Sequence, residues 1–424
     1  MRRAWWGLML WMAMAAAWAA PTLLFEPPAL EADDLGLVVN ELDPYSVAVG
    51  AYYAERRGVP ADRVVRVRFE PGPSLPLAEF ERVRAEVEAR MPRTVQAYAL
   101  AWTAPWRVEC MSVTSAFALG FDRAWCSDKQ CASTRASPIF DTVGRAFVDH
   151  GVRPAMLLAG ESVEAARAMI DRGLEAEGTH PQATAYLAVT TDAARNSRAP
   201  WFEATAAALK SRFAVRVVHE TRPAGHADAM FYFTGAPRIE GLEQLRLLPG
   251  SLADHLTSFG GVLQGGSQTS ALAWLSAGAS ASYGTVVEPC SHPQKFPVPG
   301  LVMANYLSGA TAIEAYWRSV AWPGEGVFVG DPLARPFAPV VRAVGTDALR
   351  VTFHSPVRGH LVLYGAPSPI GPFRPVAQHP PLVPGTVRLM LRGLDQPFYR
   401  VVLVPEDNTK THLGAGRLSV SPGT

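Results

Sequence analysis

Apolar and polar positions along most of the chain follow the rhythm of buried strands separated by amphipathic helices. Short apolar runs such as residues 35–40 and 279–287 predict strands. Residues 77–91 instead repeat apolar side chains at the spacing of one helix face. Asp43-Pro44 and Gly58 provide start and stop signals around the first helix. Strands alternating with helices in this way predict a mostly parallel sheet with helices on both faces.

Two regions depart from this rhythm. Residues 103–145 follow a predicted strand and are rich in Ser, Thr, Cys and aromatic residues, so we expect a long loop layer. That layer is either a lid or binding layer, or a disulfide-held decoration. Aromatic residues within it and just before it could line a groove or pack the layer onto the sheet: Trp102, Trp106, Phe117 and Phe121. Beyond residue 339, short alternating runs separated by Pro and Gly predict a small β-sandwich of the immunoglobulin or fibronectin type.

A chain of 424 residues is too long for one ordinary core, and these patterns divide it into four parts. The predicted parts are a signal peptide (1–19), an N-terminal α/β half (20–160), a C-terminal α/β half (161–338) and a β-sandwich (339–424).

The N-terminus has the features of a secretory signal. Met1-Arg2-Arg3 precedes an apolar run over residues 4–16, and Ala17-Trp18-Ala19 provides the small residues of a cleavage site. We therefore expect cleavage near Ala19 or Ala20 and a mature protein in the periplasm or outside the cell. No second run is long and apolar enough to span a bilayer. Lys and Arg number 39 against 38 Asp and Glu, with no basic run, which argues against a nucleic-acid partner.

Export would place the four cysteines in an oxidising compartment, where bridges are expected. Three connectivities are open to them. Cys126 and Cys131 share a polar loop, and a local bridge there would leave Cys110 and Cys290 as a second pair. A metal site is the weaker alternative because no close CxxC pair occurs.

Several sequence blocks resemble those of a family of exported bacterial proteins to which no activity is assigned. The N-terminal blocks are Asn40-Glu41-Leu42-Asp43-Pro44-Tyr45-Ser46, Tyr52-Tyr53 and Arg57-Gly58-Val59-Pro60. The C-terminal blocks run from Gly278 to Pro289 and from Gly330 to Phe337. Together they cover roughly residues 35–337 of the chain, and this resemblance implies a shared fold and export without naming a reaction.

The order of the predicted domains also resembles gingipain-like cysteine peptidases of the caspase class. These have two α/β halves followed by an immunoglobulin-like domain, which implies two three-layer halves and a sandwich here. In such peptidases a His-Gly pair and an Ala-Cys pair follow neighbouring strands. The corresponding segments here read Phe233-Thr234-Gly235-Ala236 and Ala253-Asp254-His255. The first segment lacks the His and the second lacks the Cys at the position this mechanism requires, so the comparison implies a scaffold without peptidase activity of that type.

Candidate chemistry is concentrated where strands of the second half end. Asp254 and His255 would share one sheet edge with Glu288, Cys290 and His292, because the ends of neighbouring parallel strands lie together. A thiol with a histidine base and a carboxylate could form a nucleophilic site. The alternative is that Cys290 is bridged and His255 and Glu288 are structural. A zinc-type site from the two histidines and two carboxylates is a second candidate, although no short ligand spacing supports it.

The remaining motifs favour structural roles. Gly260-Gly261 and Gly265-Gly266 do not complete a phosphate-binding motif, so we interpret them as glycines of turns or close backbone approaches. Asp331 before Pro332 is expected to start a turn. We predict no cofactor and no resident metal. The leading hypothesis is a non-peptidase scaffold that binds a protein, peptide or glycan in the cell envelope; the alternative is a hydrolase using Cys290 with His255 or His292.

Overall fold

The computed structural model describes residues 21–25, 29–127 and 131–406. The predicted signal peptide therefore lies outside the described residues. Within the described ranges, none of the helices has both the length and the apolar character needed to cross a membrane.

Nineteen strands are present in the described residues. The first eight are β1 (Thr22–Phe25), β2 (Leu35–Asn40), β3 (Val64–Val67), β4 (Ala97–Leu100), β5 (Arg107–Val108), β6 (Met111–Ser112), β7 (Ala155–Leu157) and β8 (Thr184–Val189). The next five are β9 (Ala214–His219), β10 (Ala229–Gly235), β11 (Leu247–Leu256), β12 (Ala281–Thr285) and β13 (Gly326–Gly330). The last six are β14 (Val340–Ala343), β15 (Ala348–Ser355), β16 (Gly359–Ala366), β17 (Arg374–Gln378), β18 (Gly385–Arg392) and β19 (Phe398–Pro405).

Nine α-helices connect the strands in the same described ranges. They are α1 (Pro44–Arg57), α2 (Leu77–Arg90), α3 (Val113–Leu119), α4 (Ala146–His150), α5 (Val163–Ala176), α6 (Phe202–Leu209), α7 (Ala271–Ser276), α8 (Pro299–Leu307) and α9 (Ala312–Trp317).

Ten strands form one mixed sheet, in the order β3-β2-β4-β7-β13-β12-β11-β10-β8-β9. Every pairing is parallel except that of β12 with β13, which confirms the predicted α/β class with a mostly parallel sheet. The four strands of the first half join the six of the second through β7 and β13, where Val329 pairs with Leu157. The two predicted halves therefore share one continuous sheet.

Helices cover both faces of this sheet. Successive residues of a strand face opposite sides. In β2, Gly36 approaches Met91 and the Tyr98 ring, whereas Val39 contacts Gly50 of α1. Tyr98 in turn packs against Phe117 of α3, so α1 and α3 lie on opposite faces. This arrangement buries one large apolar core that runs through both halves of the sheet.

The first βαβ unit follows the local signals in its sequence. The Asp43 carboxylate accepts a hydrogen bond from the Tyr45 backbone N–H at 3.0 Å, which caps α1 with Pro44 at its first position. Gly58 ends the helix with a φ of 68°, a conformation that costs glycine little. The predicted helix-start role of Asp43 is confirmed.

The layer predicted as a long loop contains more regular structure than its composition suggested. It holds β5, β6 and α3. Trp102, Trp106 and Phe117 are buried, and Phe117 packs against Phe80 of α2 with ring centroids 5.4 Å apart. These aromatic side chains therefore pack the layer onto the sheet. The alternative, a binding groove, would require them to be exposed. Periodicity missed α3 because six of its seven residues are buried, which removes the polar face that marks an amphipathic helix.

The C-terminal sandwich has seven strands in the described residues, in sheets of three (β14-β15-β18) and four (β1-β19-β16-β17). One strand of the sandwich, β1, comes from the other end of the chain. It pairs in parallel with β19 from Thr22↔Phe398 to Phe25↔Val401. Leu23 enters the sandwich core beside residues such as Leu361 and Leu403. The start of the described chain thus belongs to the last domain, before Leu35 begins the central sheet.

Candidate functional site

Asp254 and His255 do not lie at an open sheet edge. Both lie among the last three residues of β11, where they pair with Phe233 and Thr234 of β10, and both are completely buried. β11 ends at Leu256, so the two residues do lie near a strand end as expected, but burial separates them from solvent.

His255 uses both ring nitrogens inside the core. Its Nε2 lies 3.0 Å from the carbonyl oxygen of Thr269, which can only accept, and its Nδ1 accepts from the Trp274 indole at 2.8 Å. These partners fix a neutral imidazole with its proton on Nε2. Burial lowers the pKa of His255 to about 3. Neither nitrogen is free to take a proton from a thiol, so the proposed role of His255 as a general base is not supported by this geometry.

Asp254 is paired with Arg198 in the core at 2.7 Å, with both side chains almost fully buried. Burial raises the pKa of the Asp254 carboxyl, and the guanidinium opposes that rise. Arg198 also donates to the backbone carbonyls of Thr234, at 2.8 Å, and Pro297, at 3.2 Å. The pair therefore ties β10 and β11 to the segment that precedes α8, and Asp254 has a structural partner in place of a catalytic one.

Glu288, Cys290 and His292 lie together in the loop after β12. The Glu288 carboxylate accepts a hydrogen bond from the Cys290 backbone N–H at 2.8 Å. Cys290 and Ser291 have φ values of 57° and 44°, which turn the chain sharply. The His292 ring lies 5.5 Å from the Trp322 ring. This loop is partly exposed, whereas Asp254 and His255 are buried, so the structure does not unite the five predicted residues in one site.

The cysteines pair differently from the arrangement considered above. Cys110 bridges Cys126, and Cys131 bridges Cys290. Cys126 turns inward beside the buried Cys110, while Cys131 is exposed and reaches the loop after β12. Proximity in sequence failed as a guide because the two loop cysteines face different surroundings. With its sulfur in a bridge, Cys290 has no thiol to act as a nucleophile.

A buried pair that the sequence pattern did not reveal lies beneath the bridged layer. Lys295 donates to the Glu325 carboxylate at 2.8 Å, and neither side chain is exposed. The same carboxylate oxygen accepts the Ser127 backbone N–H at 2.8 Å, next to Cys126. Burial raises the pKa of Glu325, with Lys295 opposing the rise. A lysine among apolar residues in Lys295-Phe296-Pro297-Val298 was the only available signal.

Asp331 both starts a turn and anchors a buried cluster. Its carboxylate accepts the Leu333 backbone N–H at 3.1 Å, which confirms the predicted turn. It also accepts from the Tyr53 hydroxyl at 3.0 Å and forms an ion pair with Arg57. The N-terminal and C-terminal sequence blocks that carry the family resemblance thus meet at one carboxylate.

The glycine pairs and the proposed metal ligands can also be placed. A Cβ on Gly284 of β12 would collide with the backbone of Gly260 and Gly261, which confirms close backbone approach as the reason for that pair. Across the described parts of the chain, no three His, Cys, Asp or Glu side chains are arranged to hold a metal ion. Two of the proposed ligands, Asp254 and His255, are buried in the core and bound to the partners described above.

A cavity of about 480 Å³ lies between the α/β domain and the sandwich. Its volume falls in the range of roughly 300–1,000 Å³ that is typical of small-molecule sites. One wall is apolar and comes mainly from the sandwich strands and β1, with Phe25, Leu361 and Leu403 among its residues. The opposite wall comes from the α/β domain and includes Asn305, Ser308 and Ala310.

Three ion pairs surround this cavity. Arg335 binds Glu31 at 2.9 Å, Arg318 binds Glu314 at 3.0 Å, and Arg145 binds Asp34; all six side chains line the cavity. The pairs of Glu31 and Asp34 link the segment after β1 to the α/β domain, whereas the Arg318–Glu314 pair lies within one turn at the end of α9.

Basic side chains collect beside the cavity, where the two domains meet. His354 of β15 lines it and packs against Phe337, with ring centroids 5.7 Å apart. Neither ring nitrogen of His354 has a hydrogen-bond partner in the described structure. Its pKa is lowered to about 3, mainly by burial and also by the nearby Arg212 and His180. The Arg212 guanidinium therefore contributes a positive charge beside His354.

Comparison of the chain with protein-family models, with curated proteins and with solved structures finds no match.

Proposed function

We propose that this protein is an exported binding protein that acts in the cell envelope, with its ligand in the cavity between the α/β domain and the sandwich. The α/β domain is, in this proposal, a caspase-like or gingipain-like scaffold without peptidase activity. Two disulfides fit a protein that folds in an oxidising compartment. The observation that carries the proposal is the cavity itself, which has an apolar wall facing a polar one.

The arrangement of Cys290 and His255 supports binding over thiol hydrolysis. A cysteine hydrolase needs a free thiolate and a base that can accept its proton. Cys290 is bridged to Cys131, and the His255 ring is neutral and hydrogen-bonded at both nitrogens. The hydrolase alternative therefore has no favourable geometry behind it.

Titration with Nile red, a neutral dye that fluoresces in apolar surroundings, tests the proposed site independently of ligand charge. Ala310 lines the cavity and is buried, so Ala310→Phe should fill part of the space, whereas Ala310→Ser keeps nearly the same volume. We expect saturable binding of one dye per wild-type chain, retained by Ala310→Ser and lost in Ala310→Phe. Saturable binding that Ala310→Phe leaves intact would place the dye elsewhere and count against this site, as would no binding at all.

A further inference from the structure

The acidic and basic groups around the cavity do not balance once the side chains behind its wall are included. The three arginines on the cavity surface are each paired with a carboxylate, so together they contribute no net charge. A fourth arginine, Arg212, lies just behind the polar wall, in the segment that follows α6. It is the group that leaves a positive charge uncompensated.

Arg212 reaches the cavity through Ser308. Its guanidinium donates to the Ser308 hydroxyl at 3.1 Å and to the Ala304 carbonyl at 3.4 Å, and its Nε has no acceptor. Burial lowers the pKa of Arg212 to about 10, with no neighbouring carboxylate to oppose that effect in the described residues. At neutral pH it remains charged, and a cation in such surroundings is stabilised by any anion that approaches it.

We propose that the cavity binds a small amphipathic carboxylate, with its apolar chain against the sandwich wall and its anionic group toward Ser308 and Arg212. This inference rests on the proposed function, because it names the ligand class of the same cavity. Phe25, Leu361 and Leu403 provide the apolar surface for the chain. The Arg212 charge, which lies against the cavity-lining Ser308, favours an anion over a neutral or cationic head group.

The test is a calorimetric titration with straight-chain carboxylates of increasing length, from hexanoate to dodecanoate, and with 1-decanol as the neutral counterpart of decanoate. Each added methylene should strengthen binding about fourfold until the cavity is full. Decanoate should bind about tenfold more tightly than 1-decanol because of its charged contact.

Arg212→Met tests the anionic contact, and Arg216→Met is its matched control because Arg216 is an exposed arginine on the neighbouring strand β9. We expect Arg212→Met to bring decanoate down to the affinity of 1-decanol without changing 1-decanol binding. Arg216→Met should retain the preference for decanoate.

Each outcome has a distinct meaning. Equal binding of decanoate and 1-decanol by the wild type, or a preference that survives Arg212→Met, would overturn the carboxylate inference while leaving a binding cavity. If neither the carboxylates nor 1-decanol bind to a protein that still binds Nile red in this cavity, the carboxylate inference is likewise overturned and the binding cavity remains. If the carboxylates, 1-decanol and Nile red all fail to bind, the proposed function is overturned as well.

Discussion

Asp331→Asn will destabilise the protein far more than Asp171→Asn, although the two aspartates have the same kinds of partner. Helix α1 presents tyrosine and arginine four residues apart twice in succession. Tyr53 and Arg57 bind Asp331, as described above. The adjacent pair, Tyr52 and Arg56, binds Asp171 of α5. Burial is the main difference between the two clusters.

The expected magnitudes follow from exposure. Arg57 and Asp331 have side chains that are 4% and 0% exposed, against 46% and 36% for Arg56 and Asp171. Losing one member of a buried pair costs about 3–5 kcal/mol, because the other charge stays buried. Glu177 remains 3.3 Å from Arg57, which places the Asp331→Asn cost near the lower end, about 3 kcal/mol. An exposed pair contributes about 0–1 kcal/mol.

Urea unfolding followed by tryptophan fluorescence measures both costs. Every tryptophan between residues 29 and 406 lies before residue 339, so the signal reports the α/β domain and not the sandwich. Repeating the measurement in 1 M salt, where the Debye length is about 3 Å, should remove the Asp171→Asn effect and leave that of Asp331→Asn. Equal costs for the two variants, or a loss of the Asp331→Asn effect in high salt, would refute the reasoning.

Two further predictions use the same unfolding assay, and a third, at His354 in the sandwich, is read by far-UV circular dichroism, which reports both domains. Gly173→Ala should be destabilising, because the new Cβ would collide with the Asp331 carboxylate and outweigh the roughly 1 kcal/mol gain in helix propensity; a net gain would contradict that packing. Replacing Cys131 and Cys290 together by serine should lower the free energy of unfolding by up to about 5 kcal/mol. The loss should exceed that from removing the Cys110–Cys126 bridge, because the Cys131–Cys290 bridge joins residues 159 apart in the chain. An unchanged urea midpoint would argue against the bridge. The folded pKa of His354 is about 3, below its ordinary 6.5, so the unfolded chain takes up the proton first and stability falls as the pH drops through that interval. His354→Leu should therefore reduce the acid sensitivity by up to about 1.4 kcal/mol per pH unit, and an unchanged slope would contradict its burial as a neutral ring.

Local pattern predicted the α/β class and most of the strands, because each is encoded by its own apolar run and its own end signals. Asp43 and Gly58 define α1 by contacts within a few residues, so the sequence alone was sufficient there. The sandwich was predicted from the sequence of four of its strands, but β14, β17 and β1 were not predicted. Strand β1 is more than 300 residues away from its partner β19 in the chain, a distance no local pattern spans.

The candidate site was less predictable because its residues act through distant partners. His255 looked like a base at a strand end, yet its role depends on Trp274 and Thr269, which the topology brings alongside. Cys290 was a possible nucleophile until its pairing with Cys131 was known. The cavity between domains depends on β1 crossing to the sandwich, so its existence could not be inferred before that pairing was seen.

Native mass spectrometry of protein recovered from the exported fraction of cells is the most direct test of the central claim that this cavity holds a ligand. The wild-type chain, Ala310→Ser and Ala310→Phe would be compared without detergent or organic solvent. The account predicts a non-covalently bound small molecule on the first two and none on Ala310→Phe. The same bound molecule on all three, or none on any, would contradict it.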